Sequence, residues 1–342
     1  MSSFSHERPI VTRTRSTVLN AAIEAWPIAG SFTISRGSKT QADVVVVELQ
    51  DGAHRGRGEC TPYPRYGETA AGVLAAIEAL RQPLLEGLDR SGLQRLLPGG
   101  AARNGLDCAF WDLEAKQSGR PAYVVAGLPA PGPVNTAYTI SLGTADAMAQ
   151  AARAAAARPL LKIKLGSGDE DPARIRAVRK AAPTAELIVD ANEGWTAANL
   201  ATNLAACAEV GVTLIEQPLP AADDAALAAI AHPIPICADE SVHDRATLAG
   251  LKAKYEAVNI KLDKTGGLTE ALALAEEANR LGFEIMVGSM VATSLAVAPA
   301  MLLAQRARVV DLDGPLLLAK DRPDGLRVEG SRMYPPEPAL WG

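Results

Sequence analysis

From about residue 134 onward, short apolar runs recur along the chain. They are VNTAYTI at 134, LLKIKL at 160, ELIVDAN at 186, VTLIEQP at 212, IPICADE at 234, AVNIKLD at 257, EIMVGSM at 284 and RVVDLDG at 308. Between them lie alanine-rich segments with helical periodicity, such as DPARIRAVRKAA and LTEALALAEEANRLG. Strands alternating with helices predict a parallel sheet, and eight of them predict closure into an α/β barrel over residues 134–315. An open doubly wound sheet is the rival, but no GxGxxG follows any early strand.

Residues 1–133 follow a different pattern. AIEAWPI, SFTISR and ADVVVVELQ read as antiparallel strands joined by turns, whereas GVLAAIEALRQPLLEGL and NGLDCAFWDLEAKQSG read as helices. In the second of these, Leu106, Ala109, Phe110 and Leu113 form a one-sided apolar stripe that Gly119 and Pro121 end. The pattern predicts a separate α+β domain, with residues 316–342 packing back onto it. The opening stretch MSSFSHERPIVTRTRST carries charge but no apolar core, so it reads as a leader outside the fold and not as a secretory signal.

The run Leu160–Gly166 raises a physical question, because Lys162 and Lys164 stand two apart on an apolar strand. Side chains at i and i+2 share a face, and two unpaired lysines side by side in a core would be very costly. The ends of the other runs supply the compensation. Asp190 and Asn192, Glu216, Asp239 and Glu240, then Lys261, Asp263 and Lys264, then Ser289, and finally Asp311 and Asp313 close successive strands. The C-terminal rim is where barrel enzymes build their sites. A KxK can also be a solvated edge, but a closed barrel has no edges. Asp190, Glu216 and Asp239 could each be a helix cap, yet VDAN and IEQP place the carboxylate before the strand has ended. Three acidic oxygen donors from neighbouring strands suit a hard cation, Mg²⁺ above all.

Composition narrows the function classes. The 342 residues are 48% hydrophobic and 21% charged, an ordinary globular balance. The formal net charge of −5, without a basic run, argues against nucleic-acid partners. Cys60, Cys108, Cys207 and Cys237 are scattered, which fits reduced thiols in a cytoplasmic protein better than a disulfide frame or a zinc site. No apolar run reaches the roughly 18 residues needed to cross a bilayer.

A cation and a lysine can hold a carboxylate whose α-carbon loses a proton to a second lysine, one whose proton affinity is lowered by cationic neighbours. A third lysine on the opposite face can return a proton. Bases on both faces give racemisation or epimerisation, whereas one base gives elimination or cycloisomerisation.

The motifs SRGSKT, GECTPYPRYGE, GAARNGLDCAFWDLEAK, LLKIKLG, LIVDANEGW, EQPLP, ICADES, VNIKLDKTGGLTEALALA and DLDGP together resemble one family over nearly the whole chain from about residue 20. The chain resembles the enolase superfamily, in its muconate-lactonising subgroup, and within that the dipeptide epimerases of the L-Ala-D/L-Glu type. The resemblance implies a (β/α)₇β barrel under an N-terminal α+β capping domain. It implies Mg²⁺ on Asp190, Glu216 and Asp239 with Asn192 behind them, Lys164 and Lys261 as acid/base residues, and Lys162 as the carboxylate and enolate partner. It gives Asp311 and Asp313 the α-ammonium of a dipeptide, and gives Thr139 and Ser289 other substrate contacts. The segment from Arg36 to Lys39 would meet a glutamyl carboxylate, although Lys39 stands where the familiar form has arginine and so lacks a bidentate fork. Peptidoglycan peptides are the implied substrate source, and a homo-oligomer is compatible. A cycloisomerase, an o-succinylbenzoate synthase or an N-acylamino acid racemase on the same fold remains an alternative. A non-catalytic metal-binding barrel is the alternative from another class.

Overall fold

The structure is a computed structural model, which describes residues 17–166 and 168–342; the expected leader lies, but for Thr17, outside the described residues. Three antiparallel strands open the described chain: β1 (Val18–Ile34), β2 (Gly37–Asp51) and β3 (His54–Cys60), in the order β1-β2-β3. AIEAWPI and SFTISR are thus one strand, not two. Their register on β2 shifts between Pro27 and Phe32, where a bulge around Gly30 (φ 88°) bends the strand without ending it. Ile34 pairs with Gly37, so Ser35 and Arg36 form the tip of the hairpin.

The helix Ala101–Ser118 lies against this sheet. Leu106, Ala109, Phe110 and Leu113, the expected stripe, join Val45, Val47, Leu49 and Ile77 in the core of this first layer. The contact is close enough to require glycine. A Cβ on Gly56 would fall 2.2 Å from the carbonyl oxygen of Ala109, and one on Gly58 2.1 Å from that of Gly105.

After β4 (Val134–Asn135), the eight expected barrel strands follow: β5 (Tyr138–Ile140), β6 (Leu160–Lys164), β7 (Glu186–Asp190), β8 (Val212–Glu216), β9 (Ile236–Ala238), β10 (Ala257–Ile260), β11 (Glu284–Gly288) and β12 (Val309–Asp311). They form one parallel sheet in sequence order. The Ala137 N–H donates to the Val310 carbonyl at 2.8 Å and ties the first barrel strand to the last. The expected first run, VNTAYTI, is split. Its head, β4, leaves the barrel and pairs with β14 (Arg332–Met333), which pairs with β13 (Val328–Glu329). Of the seven connections, those after β8 and β9 are short 3₁₀ turns, Ala221–Asp223, Ala225–Ala229 and Arg245–Gly250, and not α-helices. Prolines at 218, 220, 233 and 235 bracket the first of them and leave little room for an uninterrupted helix.

Strand alternation divides the barrel residues cleanly. Outward side chains such as Leu161, Ile163, Leu187, Val189, Ile215 and Val258 join the large core beneath the surrounding helices. Inward ones form an apolar layer of Ala137, Ile188, Leu214, Cys237, Ala257, Met286 and Val309. Two residues further along each strand but β11, where Gly288 stands, the inward positions turn polar.

The chain beyond Leu317 divides its contacts. β13 and β14 lie with β4, while Arg322 Nη2 reaches Glu59 (2.7 Å) and Glu24 (2.7 Å) on the first layer, and Trp341 Nε1 donates to the Cys108 carbonyl (2.9 Å). Among the described residues, no helix is long and apolar enough to cross a membrane.

Candidate active site

Sheet register builds the site. Lys164 pairs with Asp190 and Asp190 with Glu216, so three charged side chains stand in one row across β6, β7 and β8. Glu216 pairs in turn with Cys237 on β9, and Asp239 follows two residues later on the same inward face. Asn259 and Lys261 continue the inward face of β10, and Asp311 and Asp313 that of β12. Room for the Lys261 stem comes from the next strand, where a Cβ on Gly288 would lie 3.1 Å from Lys261 Cε.

The lysines are paired, as neighbouring buried ammonium groups must be. Lys162 Nζ, with only 1% of the residue exposed, lies 2.6 Å from Glu216 Oε2, 2.6 Å from Asp311 Oδ2 and 3.1 Å from Asp190 Oδ2. Lys164 Nζ lies 2.5 Å from Asp190 Oδ2. Lys261 Nζ lies 2.6 Å from Asp239 Oδ2 and 3.9 Å from Glu216 Oε1. Burial alone would lower Lys162 and Lys261, but the surrounding carboxylates outweigh it and hold both well above the usual lysine range. The expected lowering by cationic neighbours is present, since Lys162 pushes Lys261 down, but Asp239 and Glu216 dominate.

Among the carboxylates, burial and the Asp190 charge push Glu216 up to about 7. Burial would raise Asp190 and Asp239 too, but the lysines hold both below the ordinary range. Burial and the neighbouring Asp311 push Asp313 up to about 7.

All but two of the expected residues line one cavity of about 670 Å³: Lys39, Thr139, Lys162, Lys164, Asn192, Asp239, Lys261, Ser289, Asp311 and Asp313 are in its wall. Asp190 and Glu216 lie behind that wall, 0% and 1% exposed. The three carboxylates are turned onto lysines, and no group of three His, Cys, Asp or Glu side chains among the described residues is set at ligand geometry. The donor set nevertheless fits a hard cation. It is all oxygen, three adjacent strands supply it, and ammonium groups already compensate its negative charge. Asn192 Oδ1, buried without a hydrogen-bond partner, adds a neutral oxygen beside Asp190.

The hairpin tip closes one side of the cavity and separates two cations that look equivalent in sequence. Arg36 is spent on the protein. Nη1 donates to the Asn192 carbonyl (2.8 Å), and Nη2 reaches Tyr63 Oη (2.9 Å) and Glu240 Oε1 (2.7 Å). Lys39, in the same cavity wall, lies 5.9 Å from the Phe32 ring centre, and burial holds its ammonium below the ordinary lysine value.

Three buried groups had no role assigned from sequence. Asn259 Nδ2 donates to Glu216 Oε1 (2.7 Å). Lys264 Nζ holds Asp239 through Oδ1 (2.5 Å) and its carbonyl (2.5 Å). Glu240 receives Arg36. Strand parity from Ala257 through Asn259 to Lys261 was the available signal for Asn259. Lys264 sits on a short helical turn beyond β10, Leu262–Thr265, where parity no longer applies.

A capped eight-stranded parallel barrel with acid and base groups on its C-terminal rim defines the class of protein. Residues 16–127 match the mandelate racemase / muconate lactonizing enzyme N-terminal domain, and residues 145–339 match the enolase C-terminal domain-like family. The chain belongs to the enolase superfamily, in its mandelate racemase / muconate lactonizing branch. It is 52% identical to the L-Ala-D/L-Glu epimerase of Escherichia coli (strain K12), over 91% of this chain and 97% of that protein. It is 46% identical to the N-acetyl-D-glutamate racemase of Pseudoalteromonas sp, over 87% and 95%. A solved enolase family member from Agrobacterium tumefaciens, described as homologous to dipeptide epimerases and holding sodium and L-Ala-L-Glu, superimposes with a TM-score of 0.93. The two are 57% identical, over 95% of this chain and all of that one.

Proposed function

We propose that the protein is a Mg²⁺-dependent dipeptide epimerase of the L-Ala-D/L-Glu type. It inverts the α-carbon of the C-terminal residue by a two-lysine 1,1-proton transfer through an enediolate. In this reading Asp190, Glu216 and Asp239 hold the cation, which supplies stabilisation of negative charge developing on the substrate carboxylate. Lys162 steadies the same oxygens, since its ammonium already bridges the carboxylates around that point. Lys164 on β6 and Lys261 after β10 face the cavity from strands separated by three others, so an α-carbon between them presents one face to each.

The observation that carries the dipeptide reading is Asp311. Its Oδ2 is taken by Lys162, while Oδ1 is buried with no hydrogen-bond partner. A buried carboxylate oxygen left open beside the cavity suits an ammonium donor. Asp313, held by the Thr139 N–H at 2.6 Å, stands next to it. A free α-ammonium on the substrate meets this need, and an acyl group does not. Lys39, in the cavity wall with no ion pair or hydrogen bond among the described residues, is the counterpart for an acidic side chain. The cytoplasm is the proposed compartment, consistent with four buried, unpaired cysteines.

An N-acylamino acid racemase is the second reading, favoured by the 46% identity to the Pseudoalteromonas racemase. One experiment tests both. L-Ala-L-Glu and N-acetyl-L-glutamate are incubated separately with Mg²⁺ in D₂O, and deuterium uptake with inversion is followed by mass spectrometry and NMR. The proposal expects rapid inversion of the dipeptide and slow turnover of the acylated amino acid. The opposite ranking overturns it.

A further inference from the structure

We propose that Gln217 is a positioning residue that sets the place of Asp239 relative to Asp190 and Glu216, an inference that rests on the cation site proposed above. Register alone brings Asp190 and Glu216 into one row, but β9 ends at Ala238, so Asp239 stands beyond the last paired residue of its strand. Something other than the sheet must fix its backbone.

Gln217 does so from the neighbouring strand. It follows Glu216 directly, is 0% exposed and holds φ at 35°, a left-handed conformation that a non-glycine residue adopts at a cost. Its main chain bridges both neighbours: its N–H donates to the Cys237 carbonyl (2.9 Å), and its carbonyl accepts the Glu193 N–H (2.9 Å). Its side chain then reaches past the end of β9. Oε1 accepts the N–H groups of Asp239 (2.8 Å) and Ser241 (3.1 Å). Two backbone donors on one atom identify it as the oxygen, because the amide nitrogen accepts nothing. Nε2 points the other way, to the Leu219 carbonyl, Ser241 Oγ and Tyr255 Oη, each at 2.9 Å. Tyr255 Oη donates in turn to Asp224 Oδ2 (2.7 Å).

One buried residue therefore touches, through its main chain or its amide, the segments that follow Asp190 and Glu216 and the one that carries Asp239. Lys264 holds the Asp239 carbonyl and carboxylate, and Gln217 holds its N–H, so the backbone of that residue is gripped from both sides. Without the amide, the buried N–H of Asp239 and the half-buried N–H of Ser241 lose their acceptor, and Asp239 is free to shift relative to Glu216. Groups that orient ligands from behind typically contribute about 10–100-fold to metal affinity.

The test compares Gln217→Met with Tyr255→Phe. The second removes one recipient of the amide N–H and the tie to Asp224, but leaves the bridge to Asp239 whole. Mg²⁺ affinity is measured by calorimetry on the full chain, and melting is followed without metal. Both variants are expected to melt below the wild type, while only Gln217→Met loses Mg²⁺ affinity, by about 10–100-fold. Should Gln217→Met not fold, Gln217→Asn keeps the amide but cannot span the same gap, and the same loss is expected. If Gln217→Met binds Mg²⁺ as tightly as the wild type, or Tyr255→Phe loses as much, the positioning role is overturned and the amide is only structural. If the wild type binds no Mg²⁺, the cation site itself fails and the inference with it.

Discussion

Lys164 and Asp190 face each other in one register row of β6 and β7, with Nζ 2.5 Å from Oδ2. The same carboxylate oxygen lies 3.1 Å from Lys162 Nζ, so one buried anion serves two buried ammonium groups. Asp190 thus has two roles, compensating charge in the folded chain and, in the proposed mechanism, holding a cation.

These roles separate experimentally. Asp190→Asn, Glu216→Gln and Asp239→Asn are each expected to abolish turnover and Mg²⁺ binding. Asp190→Asn should also lower metal-free stability, because removing one partner of a buried ion pair costs about 3–5 kcal/mol. Calorimetric Mg²⁺ titration with thermal melts in chelator reads both effects. Undiminished turnover after exhaustive chelation would end the carboxylate-triad reading.

The open oxygen of Asp311 sets the second expectation. An N-acetylated dipeptide should be a poor substrate beside the free one, by roughly 1.5–3 kcal/mol in kcat/KM for the lost charge-assisted hydrogen bond. Asp311→Asn should narrow that gap by slowing the free dipeptide. Competition between the two substrates in one reaction measures the ratio directly, and equal turnover by the wild type would favour the N-acyl reading.

Asp263 gives a pH dependence outside the chemistry. Its Oδ1 accepts the Thr61 N–H (2.9 Å) and Asn104 Nδ2 (2.7 Å), joining the first layer to the barrel. Burial pushes its carboxyl from an ordinary 3.8 up to about 7. The folded state therefore binds a proton in this window that the unfolded chain has released, and stability falls as pH rises from about 4 to about 7. Asp263→Asn keeps the oxygen that accepts both bonds and removes the titration. Its stability relative to the wild type should therefore improve over that interval, by at most roughly 4 kcal/mol at about 1.4 kcal/mol per pKa unit. Denaturant melts of both proteins at several pH values check this, and parallel curves would contradict it.

Strand periodicity made much of this architecture readable. Once eight apolar runs are recognised, parity alone puts Lys162, Lys164, Asp190, Glu216 and Asp311 on the inner face. Where parity stops, so does legibility. Asp239 lies past β9, Lys264 lies on a helical turn, and the fate of Arg36 depends on Glu240, 204 positions away. Arg36 and Lys39 look alike in SRGSKT and both line the cavity, and only the folded hairpin shows the guanidinium committed to protein partners. The merging of two expected strands into β1 has a similar origin. Pro27 and Gly30 signal a break locally, but pairing with β2 on both sides carries the strand through.

Lys39 yields the fourth expectation. A lysine offers charge without the fork that matches a carboxylate, so Lys39→Arg should sharpen the preference for L-Ala-L-Glu over L-Ala-L-Gln. Lys39→Met should remove that preference, chiefly through KM for the acidic dipeptide. Specificity constants for both substrates with all three proteins test this, and an unchanged ratio in Lys39→Met would exclude Lys39 from side-chain recognition.

The division of labour between Lys164 and Lys261 gives the last expectation. They occupy strands separated by β7, β8 and β9, and both line the cavity, so a bound α-carbon has one lysine on each side. Inversion needs removal on one face and delivery on the other, so losing either lysine should stop epimerisation. Exchange needs only one, because a single lysine can remove a proton as the neutral amine and, once its ammonium has exchanged with D₂O, return a deuteron on its own face. In D₂O, Lys164→Ala should lose exchange from one epimer of the dipeptide and keep it for the other, and Lys261→Ala should show the reverse. The carboxylate partners differ as well. Lys164→Ala leaves Asp190 with Lys162, whereas Lys261→Ala leaves Asp239 with Lys264, so in both variants the anion stays paired and the fold is expected to survive. Deuterium incorporation into separate L,L and L,D dipeptides, followed by NMR, reads each face independently. Epimerisation by Lys261→Ala at the wild-type rate would refute the two-base mechanism and leave a one-base reaction on this barrel.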